Sequence, residues 1–544
     1  MEQAMFIGRE TNFSQERGAY LRRTLLLSIV ACSSFLLAPF RLEAVPTSPV
    51  EIMQQVERLI QQGDIAGARS RLTQALQAFP QEAGLYNLFG VVEAQQGNYP
   101  EAESNFKKAI ERAPQLTGAY LNLGRLYQEN VLKDPQALPK GLETYQKLLQ
   151  YQPNHLEANY QSAVLLIRQG SFKAALLHLS RLPAVEQERP QALAVRCAAH
   201  AGLEELSQAA AATDRLLKSK ELTEIDILSI LPILDANKRE DLEEKMLEGL
   251  VQRELASINT LHQLGLLYER RGQLDRAHQT LEKVAQGEPI SAKLLLELAR
   301  IAHKQGDHKG TLGYLAHARD LEPQNAGIHF FFGMVCVDLD LSQDAYNSLK
   351  QAVSLNPNNP YYNYALGAVA VQRKDPSEAI PYFQKYCDLR PEDPRGRFAL
   401  GVAYFYSSNS DLARKELERV VQYHETAAGA HYFLGRLAKQ GDKLAEAMKE
   451  LQLAVQANPN YAEAYAELGL LQLRQKEYAQ AEKTLRRALE IDPDSYSANL
   501  NLLNLYQRTK DKRVDSQAQR FEEVKKRRSE KEEALLRTIE VRPY

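Results

Sequence analysis

The sequence has no tryptophan and only four cysteines in 544 residues. Cys32, Cys197, Cys336 and Cys387 are scattered and form no C-x-x-C, so no disulfide framework or zinc ribbon is written into the chain. Cys197, Cys336 and Cys387 read instead as small buried apolar residues. An excess of charge of either sign is also missing, because the formal net charge is −2. That balance argues against nucleic acid as the main partner, which would favour a strongly basic chain. Sequence patterns for phosphate, dinucleotide, zinc-protease and serine-hydrolase chemistry are all absent. His303 and His308 flank a K-Q-G-D turn that supplies no further soft ligand, so no metal is expected there. No alternating run suggests a strand. The expectation is a non-enzymatic, all-helical chain with no cofactor, no metal and no catalytic residue.

What the sequence does have is a period. Gly265, Ala299, Gly333, Gly367, Gly401, Gly435 and Gly469 recur every 34 residues. Ala277, Ala345, Ala379, Ala413, Ala447 and Ala481 keep the same step, with Thr311 as the departure. Pro289, Pro323, Pro357, Pro391, Pro459 and Pro493 close each unit, with Glu425 the one gap. Asn460 to Pro493 shows the unit clearly: two amphipathic stretches joined by a short turn and ended by proline, which lacks a backbone N–H. Gly90 and Gly124, Ala68 and Ala102, and Pro80 and Pro114 repeat the pattern upstream. A fixed period of this length marks an array of helical hairpins, and small residues mark where paired helices approach closely.

The pattern resembles that of the tetratricopeptide repeat family over most of the chain. The resemblance implies a right-handed α-α superhelix of about 13 hairpins with a C-terminal capping helix. The expected divisions are an N-terminal array at 49–189, degenerate repeats at 190–257, a C-terminal array at 258–495 and capping helices at 496–540. The degenerate stretch is a candidate joint, with Pro232 expected to kink a helix. The third unit carries an insertion, ENVLKDPQALPKG, before a second helix expected at Leu142–Tyr151. Lys525-Lys526-Arg527-Arg528 lies among glutamates and reads as a solvated helix face rather than a nucleic-acid patch.

Residues 1–44 read as an export signal or an N-terminal membrane anchor. Arg22 and Arg23 precede an uncharged run from Thr24 to Phe40, and a small residue, Ala44, offers a cleavage site. Ile29-Val30-Ala31-Cys32 also resembles a lipobox, which would place a lipid on Cys32. The expected location is therefore periplasmic or membrane-anchored, with the membrane reached only through this segment.

The family resemblance also implies a binding surface. The fifth position of each first helix faces the concave groove in this family, and here Phe330, Tyr364, Phe398 and Tyr432 occupy it in succession. Tyr361, Arg395, Phe405, Tyr406 and Arg436 are expected beside them, and aromatic and arginine side chains dominate binding hot spots. No repeat pairs a fifth-position lysine with a ninth-position asparagine, so the two-carboxylate clamp for chaperone tails is not expected. The expected partners are protein or peptide segments. The alternative is an accessory subunit of a secretion, polysaccharide-assembly or enzyme complex whose catalytic chain is separate.

Overall fold

The computed structural model describes residues 48–287 and 289–530, with side chains as far as residue 527. The leader at 1–44, with Cys32, and the end of the last helix towards Ile539 lie outside the described residues. Every regular element among the described residues is a helix. No helix among them is long and apolar enough to cross a membrane. The chain forms two compact units that divide between Gly287 and Glu288.

The first unit stacks hairpins from Pro49–Gln61 with Ile65–Ala78 to Ile258–Arg270 with Leu274–Gly287. The second begins with Ala292–Lys304 and His308–Leu321 and ends with Tyr496–Thr509 and Val514–Glu530. The expected periodicity therefore holds as tandem helical pairs in each unit. In the last pair Phe521 and Val524 are buried, and the Phe521 ring lies 5.1 Å from that of Tyr496. This helix covers the apolar face that a terminal repeat would otherwise expose. Of the basic run, Lys525 pairs with Glu522, and Arg527 reaches Asp494 at 2.9 Å.

The repeating period has a packing cause. A Cβ placed on Gly367 would lie 2.8 Å from the Phe383 ring, and one on Gly435 would lie 2.8 Å from Leu451. Gly90 faces Phe106 and Gly469 faces Leu485 in the same way. Each glycine therefore receives a large side chain sixteen residues further on, from the second helix of its own hairpin. The expectation of close helix approach is refined: the small residue is a socket for a side chain as well as a place where backbones meet.

Short turns set the hairpin angle. Helix Pro360–Gln372 ends when Lys374 takes φ 65°. Its N–H bonds to the Val371 carbonyl, and the Asp375 N–H bonds to that of Ala370, each at 3.0 Å. Asp375 then caps the next helix by accepting from the Glu378 N–H. Gly272, Gly306, Asp340, Ser408, Asp442, Lys476 and Lys510 take positive φ at the same 34-residue step. Glycine does so freely, whereas a residue with a Cβ is strained there.

Successive hairpins are also latched by polar side chains. Asn363 donates to the Pro357 carbonyl at 2.9 Å, Asn159 to that of Pro153 at 2.9 Å, and Asn499 to that of Pro493 at 3.1 Å. The Tyr86 and Tyr120 hydroxyls do the same for Pro80 and Pro114. The end of one hairpin is thus satisfied by the first helix of the next.

Three local differences from the sequence reading have clear causes. In the third hairpin the second helix starts at Ala137, not Leu142, because Pro139 fits within a first helical turn. The socket spacing there grows from sixteen to twenty-one residues, Gly124 to Tyr145, so the insertion is absorbed partly as helix. Pro232 does more than kink its helix, which is split into Glu224–Leu228 and Leu231–Ala236. Buried residues from Ala192 to Leu250 share one cluster with those of the preceding hairpins from Leu142 onwards. The unit boundary at Gly287 lies beyond the stretch read as a joint.

Candidate interaction surface

Cys197, Cys336 and Cys387 are free and buried, and burial pushes each thiol up to about 11. They are inert at neutral pH, as their scattered positions imply. The His303 and His308 rings lie 6.0 Å apart, and no group of three potential metal ligands occurs among the described residues.

The nine residues expected to line a groove all lie in the second unit, on four successive first helices. Ala326–Asp338 carries Phe330, and Pro360–Gln372 carries Tyr361 and Tyr364. Pro394–Tyr406 carries Arg395, Phe398, Phe405 and Tyr406, and His424–Gln440 carries Tyr432 and Arg436. Their surroundings divide them into two groups.

Tyr364 is only 2% exposed. Its ring lies 5.5 Å from Phe383 and 5.0 Å from Tyr386, both on the second helix of the same hairpin. The expectation that Tyr364 faces an open groove is therefore corrected. Helix Pro376–Leu389 covers it with aromatic rings. Tyr432 and Phe405 are also buried, at 8% and 7% exposure. Arg395 is half-buried, but its charge is spoken for. Its guanidinium grips Asp393 through Nε at 2.9 Å and a terminal nitrogen at 2.7 Å, while the Tyr386 hydroxyl donates to the same carboxylate at 2.6 Å. Burial alone would raise Asp393, but these bonds hold its carboxyl below the usual range. The hydrogen bond to Asp393 in turn raises Arg395.

Phe330, Tyr361, Phe398, Tyr406 and Arg436 remain half-buried, with part of each side chain towards solvent. Phe330 stacks on Tyr362 at 4.7 Å, and Arg390 donates to the Tyr361 hydroxyl at 3.3 Å. Phe398 fills the space beside Gly429, where a Cβ would meet its ring at 2.6 Å.

The densest group surrounds Arg436. Its guanidinium carbon lies 4.7 Å from the Phe405 ring, 5.5 Å from Tyr432, 5.6 Å from Phe433 and 6.0 Å from Tyr406. Tyr461 closes the box 5.0 Å from Tyr432. Burial raises the hydroxyls of Tyr432 and Tyr461, and the neutral Tyr432 ring presents its electron-rich face to the cation. The half-buried Tyr362 and Tyr461, and the buried Phe433, were not anticipated among these residues. Their signal was in the sequence, because Phe433 adjoins Tyr432 and Tyr362 adjoins Tyr361.

Profiles of the tetratricopeptide repeat match residues 53–117, 136–199, 262–326, 337–394, 398–462 and 462–495. Together they span more than half of the 544 residues. The chain belongs to the tetratricopeptide repeat family, and its fold is the helical solenoid of that family. No curated protein matches it significantly. Among solved structures it is similar to the C-terminal part of a TPR repeat-containing protein from Cytophaga hutchinsonii. That likeness has 14% identity and a TM-score of 0.39, and covers 43% of this chain and 96% of the other. A tetratricopeptide repeat protein from Parabacteroides merdae is 18% identical, with a TM-score of 0.37 and coverage of 46% and 98%. The Cut9–Hcn1 hetero-tetramer of the APC/C matches at 15% identity with a TM-score of 0.34, covering 84% and 90%. Membership makes the chain a scaffold for protein–protein contact, because stacked hairpins present an extended side-chain surface.

Proposed function

We propose that this protein is a non-enzymatic scaffold of the bacterial cell envelope that holds partner segments against the first helices of its second unit. The observation that carries the reading is the half-buried surface of Phe330, Tyr361, Phe398, Tyr406 and Arg436 on four successive repeats. Large aromatic and arginine side chains that keep one face in solvent offer binding area at small further entropic cost. The uncharged run from Thr24 to Phe40 behind Arg22 and Arg23 supports export.

Two experiments test the two halves of this reading. Affinity capture from the envelope fraction should recover a partner, and Tyr361→Ala with Tyr406→Ala should reduce recovery about tenfold, since two anchors at about 1 kcal/mol or more each exceed that factor. Undiminished recovery by the folded double variant would move the binding surface elsewhere. A reporter fused after residues 1–60 should leave the cytoplasm, and a reporter retained there with its leader intact would remove the envelope from the proposal.

A further inference from the structure

Several half-buried arginines of the second unit answer to carboxylates. Arg395 pairs with Asp393 at 2.7 Å, Arg397 with Glu416 at 3.3 Å, and Arg414 with Glu446 at 2.6 Å. Arg436 answers to aromatic rings instead. Four aromatic rings lie within 6.0 Å of its guanidinium carbon, and it makes no ion pair with any described residue. Glu467, the acid that acts on it electrostatically, is already held by Lys439 at 2.5 Å. Aromatic faces stabilise the cation without supplying a lone pair, and a guanidinium has more N–H donors than Tyr406 alone can accept.

We propose that Arg436 is the docking point for a single acidic side chain of a bound peptide. The segment recognised has an aspartate or glutamate beside an apolar residue. This rests on the peptide-binding reading above and adds the chemistry of the peptide. The carboxylate meets the edge of a guanidinium already partly stripped of water, where a charge-assisted bidentate bond is strong. The neighbouring apolar residue meets the half-buried ring of Tyr406.

The test probes an array of short synthetic peptides with the full chain, then remakes each captured acidic peptide with Asn for Asp or Gln for Glu. Acidic–apolar peptides should dominate the captured set, and their amide counterparts should bind the unaltered protein about tenfold more weakly. Arg436→Gln should lose about that factor for the acidic peptide and little for its amide form, while Arg436→Lys retains part of the preference. Equal affinity for acid and amide forms on the unaltered protein would overturn the proposal, even if Arg436→Gln fails to fold. A preference that survives in folded Arg436→Gln would also overturn it. Capture of peptides without acid dependence removes this inference alone. Capture of no peptide removes the scaffold reading with it.

Discussion

In the hairpin of Pro360–Gln372 and Pro376–Leu389 the seam is Gly367 facing Phe383. In the hairpin of Pro190–Gly202 and Leu206–Lys218 the same register holds Cys197, whose sulfur lies 3.2 Å from the Thr213 hydroxyl. Both seams are closed: Phe383, Cys197 and Thr213 are all fully buried. Where the first helix gives up its side chain, the second supplies a large one. Where the first helix keeps a thiol, the second shrinks. Ala299 opposite Leu315 and Ala163 opposite Leu179 are intermediate cases, all buried at the same sixteen-residue separation. The hairpin thus needs a filled seam rather than a glycine, which is why residues 190–218 fold as a repeat without its signature.

The largest expected effect sets the two seams apart. Phe383→Ala should cost about 3–5 kcal/mol by opening a cavity, whereas Thr213→Ala removes far less volume and should cost about 1 kcal/mol. Hydrogen exchange of the affected hairpin in each variant reads the two costs separately, which a global melt of a repeat array does not. Equal costs would mean that the seams are not equivalent positions. Overfilling comes next. Gly401→Leu would drive a side chain into Leu417, 2.8 Å from the nearest Cβ position, and should destabilise its hairpin by at least about 1–3 kcal/mol.

A third difference between the regular and degenerate hairpins is electrostatic. Glu243, on helix Glu240–Gln252, has a side chain only 5% exposed. Burial pushes its carboxyl from 4.5 to about 7, with Asp235 and Glu240 adding to the rise and Arg270 opposing it. The folded chain therefore holds this proton more tightly than the unfolded chain. The resulting instability is absent below about pH 4.5, grows as pH rises towards 7, and is complete above it. Glu243→Gln should leave stability at pH 4 nearly unchanged and raise it by about 1–3 kcal/mol at pH 8. A denaturant titration at the two pH values checks the sign. A gain at pH 4 as large as that at pH 8 would show that the carboxyl titrates normally.

The smallest effect concerns the turns. Gly306 and Lys374 take φ 77° and 65° at equivalent places. Lys374→Gly should stabilise its hairpin by up to about 1 kcal/mol, and Gly306→Ala should cost about as much. Hydrogen exchange of each hairpin compares them, and opposite signs are the expected result.

The 34-residue glycine period placed nearly every hairpin, because a socket at a fixed register is visible in one sequence. The turns were less visible, since Lys374, Ser408 and Lys476 carry no sign of a left-handed backbone. The surface was half legible. The aromatic identity of position five was plain, but the burial of Tyr364 depends on Phe383 and Tyr386, which lie 19 and 22 residues away. The pairing of Arg395 was legible and unread: Asp393-Pro394-Arg395 puts a capping carboxylate two residues before a cation. Asp511 and Arg513 repeat it at the start of the last helix. The ring box of Arg436 needed the fold, because it joins side chains from two successive repeats with Tyr461 of a third.

A double-mutant cycle at Gly367 and Phe383 tests the seam most directly. Gly367→Ala alone should destabilise the hairpin by about 1–3 kcal/mol, because its Cβ would lie 2.8 Å from the Phe383 ring. Phe383→Leu alone should also cost about 1 kcal/mol or more by underfilling the socket. Combined, they recreate the alanine–leucine seam of Ala299 and Leu315, and the double variant should be more stable than the sum of the single losses predicts, by about 1 kcal/mol or more. Strictly additive losses would contradict the account, because the two positions would then not share one volume.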